Sequence, residues 1–339
     1  SHDNKTSSCH ARAALAVASL CAAWFLCSAL GNVVGKLLLT EFPRPMTVAM
    51  VQLASTALCS APWVLRERGA PPARPLLRAL LPLALAKFLT TLCSQVSIWK
   101  VPVSYAHTVK ATTPLWTAGL ARLVFGERQP RGVAPALVLI AGGVALASAT
   151  EMHFDAAGLL AALAAAALLS LQHLYSKRLL ARAGWSPLRV LAALSALAAI
   201  LFFPVWAWSD GAALLAHPLP PRSAGLLVLD GILAWLQAAA AFSVLARVTP
   251  LTYAVLSCGK RVLVVAASLI LLRNPAPPLN LAGMALAAAA VLQYNRAKLA
   301  ARGGSDRRPL LPDFKIISLQ EPFFFPPCMC KDPQRSDIL

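Results

Sequence analysis

The sequence predicts an all-α membrane protein of about ten transmembrane helices in two inverted five-helix repeats. Three observations carry that prediction. Apolar residues make up 58% of the chain and charged residues 13%, which leaves too little polar surface to cover a soluble domain. Between Ala13 and Tyr294 the chain divides into apolar stretches, most of them near the ~20 residues that a ~30 Å hydrocarbon layer requires of a helix. Finally, Pro102-Val-Ser-Tyr105-Ala106 is echoed by Pro250-Leu-Thr-Tyr253-Ala254, and each pattern opens a helix that reaches a basic residue two or three turns later. Five helices separate the copies, an odd number, so the second unit enters the membrane from the opposite side. The Leu/Ala runs lack period-two alternation, which disfavours a barrel, and a helix satisfies its own backbone groups in lipid.

The first span, 13–40, is long enough to tilt or to fray at its end. It contains Gly31-Asn-Val-Val-Gly35, a small-xxx-small pattern read as close helix packing, and then Lys36. The second, 46–65, follows the turn Phe42-Pro43-Arg44-Pro45, and the third, 79–99, carries Lys87 and Ser94. The fourth, 102–121, opens at Pro102 and holds His107 and Lys110; the fifth, 133–150, is free of charge. The sixth, 156–176, ends in Gln172, His173, Tyr175 and Ser176, read as a polar helix terminus. The seventh, 190–208, is followed by 224–244 with Asp230, 251–272 with Lys260 and Arg261, and 278–295. This gives an amino-terminal segment 1–12, a first repeat 13–150, a second repeat 151–295 and a basic, disordered tail 296–339.

The formal charge of +18 does not point to nucleic acid, because the basic residues alternate between loops. One set carries Arg66, Arg68, Arg74, Arg78, Arg122, Arg128, Arg131, Lys177, Arg178, Arg182, Arg189 and Arg247; the other carries only Arg44, Lys100, Arg222 and Arg273. The richer set should face the cytosol, and with an even helix count both termini join it. The eight cysteines, Cys328 and Cys330 included, show no paired spacing, so neither a disulfide framework nor a metal site is expected, and no cofactor. Metalloprotease, Walker and nucleophile–base signatures are lacking, which argues against an enzyme and against an ATP-driven pump.

Chemistry concentrates in the cations embedded in the spans: Lys36, Lys87, Lys110, Lys260 and Arg261. A charge near the centre of a spanning helix costs on the order of 2.5–3.5 kcal/mol on insertion scales. Asp230 is the carboxylate expected well inside a span, whereas Glu41, Asp155 and Asp210 are expected in loops or at helix ends. One Asp cannot neutralise five cations, so an anionic ligand, lipid phosphate or water in a cavity must supply the rest. Lys110 shares a face with His107 through i,i+3 spacing. Lys87 and Lys36 are ambiguous between substrate contact and snorkelling.

Ser104-Tyr-Ala-His-Thr-Val-Lys110-Ala-Thr-Thr-Pro114, the late Lys260-Arg261 pair after Thr249-Pro250-Leu-Thr-Tyr253, and Phe42-Pro43-Arg44-Pro45 together resemble the triose-phosphate translocator family. The likeness is strongest to subfamily E of solute carrier family 35, within the drug/metabolite transporter superfamily, and covers Trp24 to Asn295. The resemblance implies inverted five-helix repeats, alternating access, and a substrate phosphate gripped by Lys110, Lys260 and Arg261. It also implies that a hydroxyl residue of the third helix aligns with Ser94. Departures fall around the phosphate: Gln237 stands where triose-phosphate members use Tyr, and Gly35 stands where Asn often precedes the first-helix Lys. Triose phosphate itself is therefore not implied, and Asp230 is an extra carboxylate that could tune the charge or contact a sugar hydroxyl.

The expected function is thus a secondary antiporter for a phosphorylated metabolite or a nucleotide sugar. The expected substrate-binding set is Lys110, Lys260, Arg261, His107, Ser94, Gln237, Lys36 and Asp230. The expected setting, resting on the resemblance, is the Golgi or endoplasmic reticulum membrane, with a homodimer as one option. Alternatives are a non-transporting membrane scaffold that presents its basic tail, or a proton-coupled exporter of organic solutes with Asp230 as its titrating group.

Overall fold

The computed structural model of the chain describes residues 2–66, 74–125, 131–183, 186–216, 219–248, 250–273 and 277–303. These residues form helices and no strand. In order they are α1 (His2–Glu41), α2 (Pro45–Arg66), α3 (Arg74–Lys100), α4 (Val103–Lys110), α5 (Thr113–Phe125) and α6 (Ala134–Ala149). Then come α7 (Ala156–Ala183), α8 (Pro187–Trp206), α9 (Ala212–Ala216), α10 (Pro221–Arg247), α11 (Pro250–Leu271) and α12 (Pro278–Gly303). A π-helical turn, Ala207–Gly211, joins α8 to α9 in one rod, and α4 and α5 are the two pieces of another, so each of the ten expected spans has a helical counterpart. Six helical segments of the described residues are long and apolar enough to cross a membrane: Leu15–Glu41, Pro45–Val64, Leu80–Lys100, Ala156–His173, Pro187–Leu214 and Pro221–Arg247.

The helices outrun several expected ends. α1 continues back to His2, through the amino-terminal segment. α12 continues to Gly303 because Arg296-Ala-Lys-Leu-Ala-Ala-Arg302 contains good helix formers and no breaker before the glycine. Arg68, Arg128 and the tail beyond Gly303, with Cys328 and Cys330, lie outside the described residues. Asp210, expected in a loop or at a helix end, instead sits buried in the π turn. Its carboxylate accepts from the Thr47 backbone N–H (3.2 Å) and hydroxyl and lies 3.5 Å from Arg44, so it caps the start of α2 with a cation beside it. A second ion pair at the same end of the bundle joins Arg222 to Glu41 at 2.9 Å.

Packing pairs α1 with α10 and α11, α3 with α7 and α8, α2 with α8 and α10, α6 with α12, and α4 with α11 and α7. The Gly31/Gly35 face of α1 lies on α10: a Cβ at Gly31 would stand 3.6 Å from Leu233 Cβ, and one at Gly35 3.4 Å from Asp230 Oδ1. Cys21, Cys27, Cys59 and Cys93 carry free thiols.

Candidate substrate site

The site is organised by a break in a helix. Pro114 has no N–H, so the carbonyl four residues earlier, that of Lys110, loses its helical donor. α4 accordingly ends at Lys110 and α5 begins at Thr113. The chain between them turns tightly, with Thr112 N–H donating to Val109 O and Leu115 N–H to Thr112 O. Two groups replace the missing donor: the Thr113 hydroxyl donates to Lys110 O, and Arg261 of α11 donates through Nη1 to Lys110 O at 2.9 Å and through Nη2 to Thr113 Oγ1 at 3.1 Å. Ser170 of α7 donates to Thr113 O at 3.0 Å, fixing the other lip of the break. Discontinuous helices of this kind mark ion and substrate sites in membrane transporters, because non-helical backbone is tolerated only inside protein or along a water-filled cavity.

The cations expected to act together are brought together. Lys110, 8% exposed, sits at the last position of α4, and Lys260 and Arg261 come from the middle of α11. The three charges and His107 lie close enough to one another for mutual electrostatic interaction. Lys260 Nζ is 5.5 Å from the centroid of the Trp24 ring, a cation–π contact, and Trp24 in turn stacks on Tyr253 with centroids 5.1 Å apart. Among the described residues no carboxylate is ion-paired with Lys110 or Lys260.

His107 is 6% exposed and its Nε2 lies 2.8 Å from Asn32 Oδ1. Asn32 uses its Nδ2 to donate to Ser28 O, so its Oδ1 is the acceptor and His107 the donor, which leaves Nδ1 buried without a partner among the described residues. His107, Thr108 and Arg261 are the polar lining of a cavity of about 330 Å³ between α4, α11 and α12, whose other walls include Val262, Val265 and Met284. Ser94 on α3 and Gln237 on α10 are half-buried.

Two expected site residues are engaged elsewhere. Lys36 Nζ donates to Ile98 O (2.8 Å), Trp99 O (3.3 Å) and Val101 O (3.1 Å), so its three N–H groups cap the carboxyl end of α3, where carbonyls lack helical partners. Lys36→Met is therefore expected to cost about 2–3 kcal/mol, charged hydrogen bonds being worth about that much. A lowered melting temperature, largely restored in Lys36→Arg, is the check. Asp230, 1% exposed, accepts from Gln52 Nε2 at 2.8 Å, and Gln95 Nε2 donates to Gln52 Oε1 at 2.8 Å, a polar chain across α10, α2 and α3. Gln52 and Gln95 escaped the sequence reading although both interrupt apolar spans; an inventory of embedded amides, like that of embedded charges, would have found them.

The description "Triose-phosphate Transporter family" belongs to the family model that matches residues 15–295. Among curated proteins, phosphoenolpyruvate/phosphate translocator 1 of Arabidopsis thaliana chloroplasts is 33% identical, over 82% of this chain and 71% of that protein. A triose phosphate/phosphate translocator from non-green plastids of Brassica oleracea var. botrytis is also 33% identical, over 82% and 72%. Glucose-6-phosphate/phosphate translocator 1 of Arabidopsis thaliana is 26% identical, over 82% and 74%. A crystal structure described only as that of a protein superposes with a TM-score of 0.50 at 17% identity, over 82% of this chain and 98% of the other, a likeness of fold alone. These curated relatives are chloroplast or plastid proteins, which overturns the expected Golgi or endoplasmic reticulum address.

Proposed function

We propose, because the chain belongs to the triose-phosphate transporter family, that it is an antiporter exchanging a small phosphorylated metabolite by alternating access, with the phosphate held by Lys110, Lys260 and Arg261. The observation that carries this reading is the junction of Arg261 with the broken end of α4, which gathers three cations where no carboxylate pairs with either lysine among the described residues. An Arg fork suits two oxygens of one phosphate, and the lysines add mobile point charges. Ser94, His107 and Gln237 are proposed to contact the rest of the substrate. The relatives named above carry phosphoenolpyruvate, triose phosphate or glucose 6-phosphate in their names, which favours a small phosphate ester over a nucleotide sugar.

The inverted repeat 13–150 and 151–295 has support in the packing. Replacing every rod by the one five places later turns α1 on α10 into α7 on α3, α2 on α10 into α8 on α3, and α1 on α11 into α7 on the α4–α5 rod, all of which occur. The pairs α2 with α8, α4 with α11, and α6 with α12 map onto themselves. In the proposed cycle, bound phosphate neutralises the cluster and lets the two halves rock; the empty, self-repelling cluster disfavours closure, so exchange outpaces net flux.

Thermal unfolding of the purified protein tests this against inorganic phosphate, phosphoenolpyruvate, glucose 6-phosphate and a nucleotide sugar. A ligand at a hundred times its Kd adds about 2.7 kcal/mol. Stabilisation by one of the small phosphates is expected, and a folded protein stabilised by none would count against the whole reading.

A further inference from the structure

Lys87 is the embedded cation without a task. Lys36 caps α3, Lys110 and Arg261 meet at the helix break, and Lys260 lies over Trp24. Lys87, in the span Leu80–Lys100, has no hydrogen bond or ion pair from its ammonium among the described residues. It precedes Ser94 by seven residues, two helical turns, so the two side chains leave α3 within about 20° of each other and about 10 Å apart along the axis. Thr91 stands between them, half-buried, its hydroxyl turned back onto Lys87 O at 2.9 Å. Leu83, one turn before Lys87 on the same side of α3, is buried in the apolar core shared with α2 and α8, whereas Lys87, Thr91 and Ser94 are half-buried, so the polar run begins at Lys87.

Lys87, Thr91 and Ser94 thus form a polar stripe on one side of α3. α3 begins at Arg74, among the arginine-rich loops, so Lys87 is the end of the stripe nearest those loops and Ser94 the end farther in. A cation facing lipid at this depth is costly, whereas in a water-filled approach it attracts anions through low-dielectric walls.

We propose that Lys87 is a second anion station, which takes the phosphate group of an incoming phosphate ester or inorganic phosphate on the arginine-rich side before it passes Thr91 and Ser94 to the Lys110–Lys260–Arg261 cluster. The proposal rests on the phosphate-exchange reading. Losing the station weakens capture and leaves the saturated rate alone. Losing the central grip stops exchange at every concentration.

The test is phosphate/phosphate exchange by the full chain in liposomes. Lys87→Cys is expected to raise KM for inorganic phosphate about tenfold, one charged contact's worth, with the maximal rate unchanged. Aminoethyl methanethiosulfonate, which rebuilds on the introduced thiol a primary amine one atom longer than lysine, should return KM close to the wild-type value, and phosphate should slow that modification. The anionic sulfonatoethyl reagent should raise KM further. Wild-type protein treated identically controls for the native cysteines. A KM equal to wild type in Lys87→Cys, or a thiol that neither reagent reaches from water, overturns the proposal and leaves Lys87 a snorkelling residue. If that variant does not accumulate, Lys87→Gln and Lys87→Arg make the same comparison: a raised KM in the first and a near-normal one in the second is required, and any other pattern overturns it.

Discussion

Exchange of phosphate compounds by Arg261→Ala is expected to fall at least about a hundredfold. Arg261 has two tasks that one substitution removes together. Together with the Thr113 hydroxyl it serves the carbonyl whose helical donor Pro114 removes, at 2.9 Å to Lys110 O, and it holds Thr113 Oγ1 at 3.1 Å. In the proposed mechanism it also grips the phosphate. Hydrogen bonds from a charged group are worth about 1.5–3 kcal/mol each, and every ~1.4 kcal/mol of lost transition-state stabilisation is tenfold in rate. Pro114→Ala separates the tasks, because it restores an N–H four residues after Lys110. In the double variant Arg261→Ala/Pro114→Ala the melting temperature should recover while exchange stays lost. Recovery of exchange as well would make Arg261 a structural cap and would sink its role in the phosphate grip. Arg261→Lys keeps the charge and loses the fork, so an intermediate loss of about tenfold is expected.

Lys260 rests against the face of Trp24, a contact worth about 0.5–2 kcal/mol, less than a phosphate oxygen would offer. The contact joins α1 to α11 through Trp24 and Lys260.

Much of this was legible in the sequence. Ten apolar stretches and the uneven sharing of basic loop residues follow directly from the cost of putting charge in lipid, and the same cost singled out Lys110, Lys260 and Arg261. The break at Lys110 was not drawn from the sequence, although Ala111-Thr-Thr-Pro114 contains its cause; a proline in a spanning helix is often tolerated, and only the structure shows that Arg261 and the Thr113 hydroxyl meet the freed carbonyl. Charge alone leaves Lys36 ambiguous between substrate contact and snorkelling, whereas its partners are carbonyls more than sixty residues away, which no local pattern discloses. Apolar patterning ends near Trp208 and points Asp210 to a loop, whereas Arg44 from the turn before α2 and Thr47 of α2 hold it inside a continuing helix. The Golgi or endoplasmic reticulum setting rests on the resemblance alone, because the spans answer to lipid, which most internal membranes share, and carry no address.

Valine at Gly143 or Gly283 is expected to be the most damaging single change to folding. The two glycines face each other where α6 crosses α12. A Cβ at Gly143 would lie 2.6 Å from Ala287 N and 2.9 Å from Gly283 O, and one at Gly283 would lie 2.6 Å from Ala147 N and 3.0 Å from Gly143 O. These obstacles are backbone atoms, so no rotamer change relieves them and a helix must move. The crossing is reciprocal, Gly143-x-x-x-Ala147 against Gly283-x-x-x-Ala287, the small-residue seam that lets helices approach in lipid, where packing rather than hydrophobicity joins them. Asn280 reinforces the seam by donating to Ala147 O at 2.8 Å, a bond that any separation of the helices stretches. Overpacking costs typically about 1–3 kcal/mol, and a backbone clash belongs at the upper end. The melting temperature should therefore drop by roughly 6–12 °C, at about 2–4 °C per kcal/mol for a chain of this order of size. Gly142, one residue away, has nothing within 4 Å of its missing Cβ, so Gly142→Val should leave stability within about 0.5 kcal/mol of wild type. Equal losses at Gly142 and Gly143 would show that helix flexibility, not the crossing, governs this region; a loss confined to Gly143 and Gly283 would fix α6 and α12 as the seam along which the two halves of the chain are held.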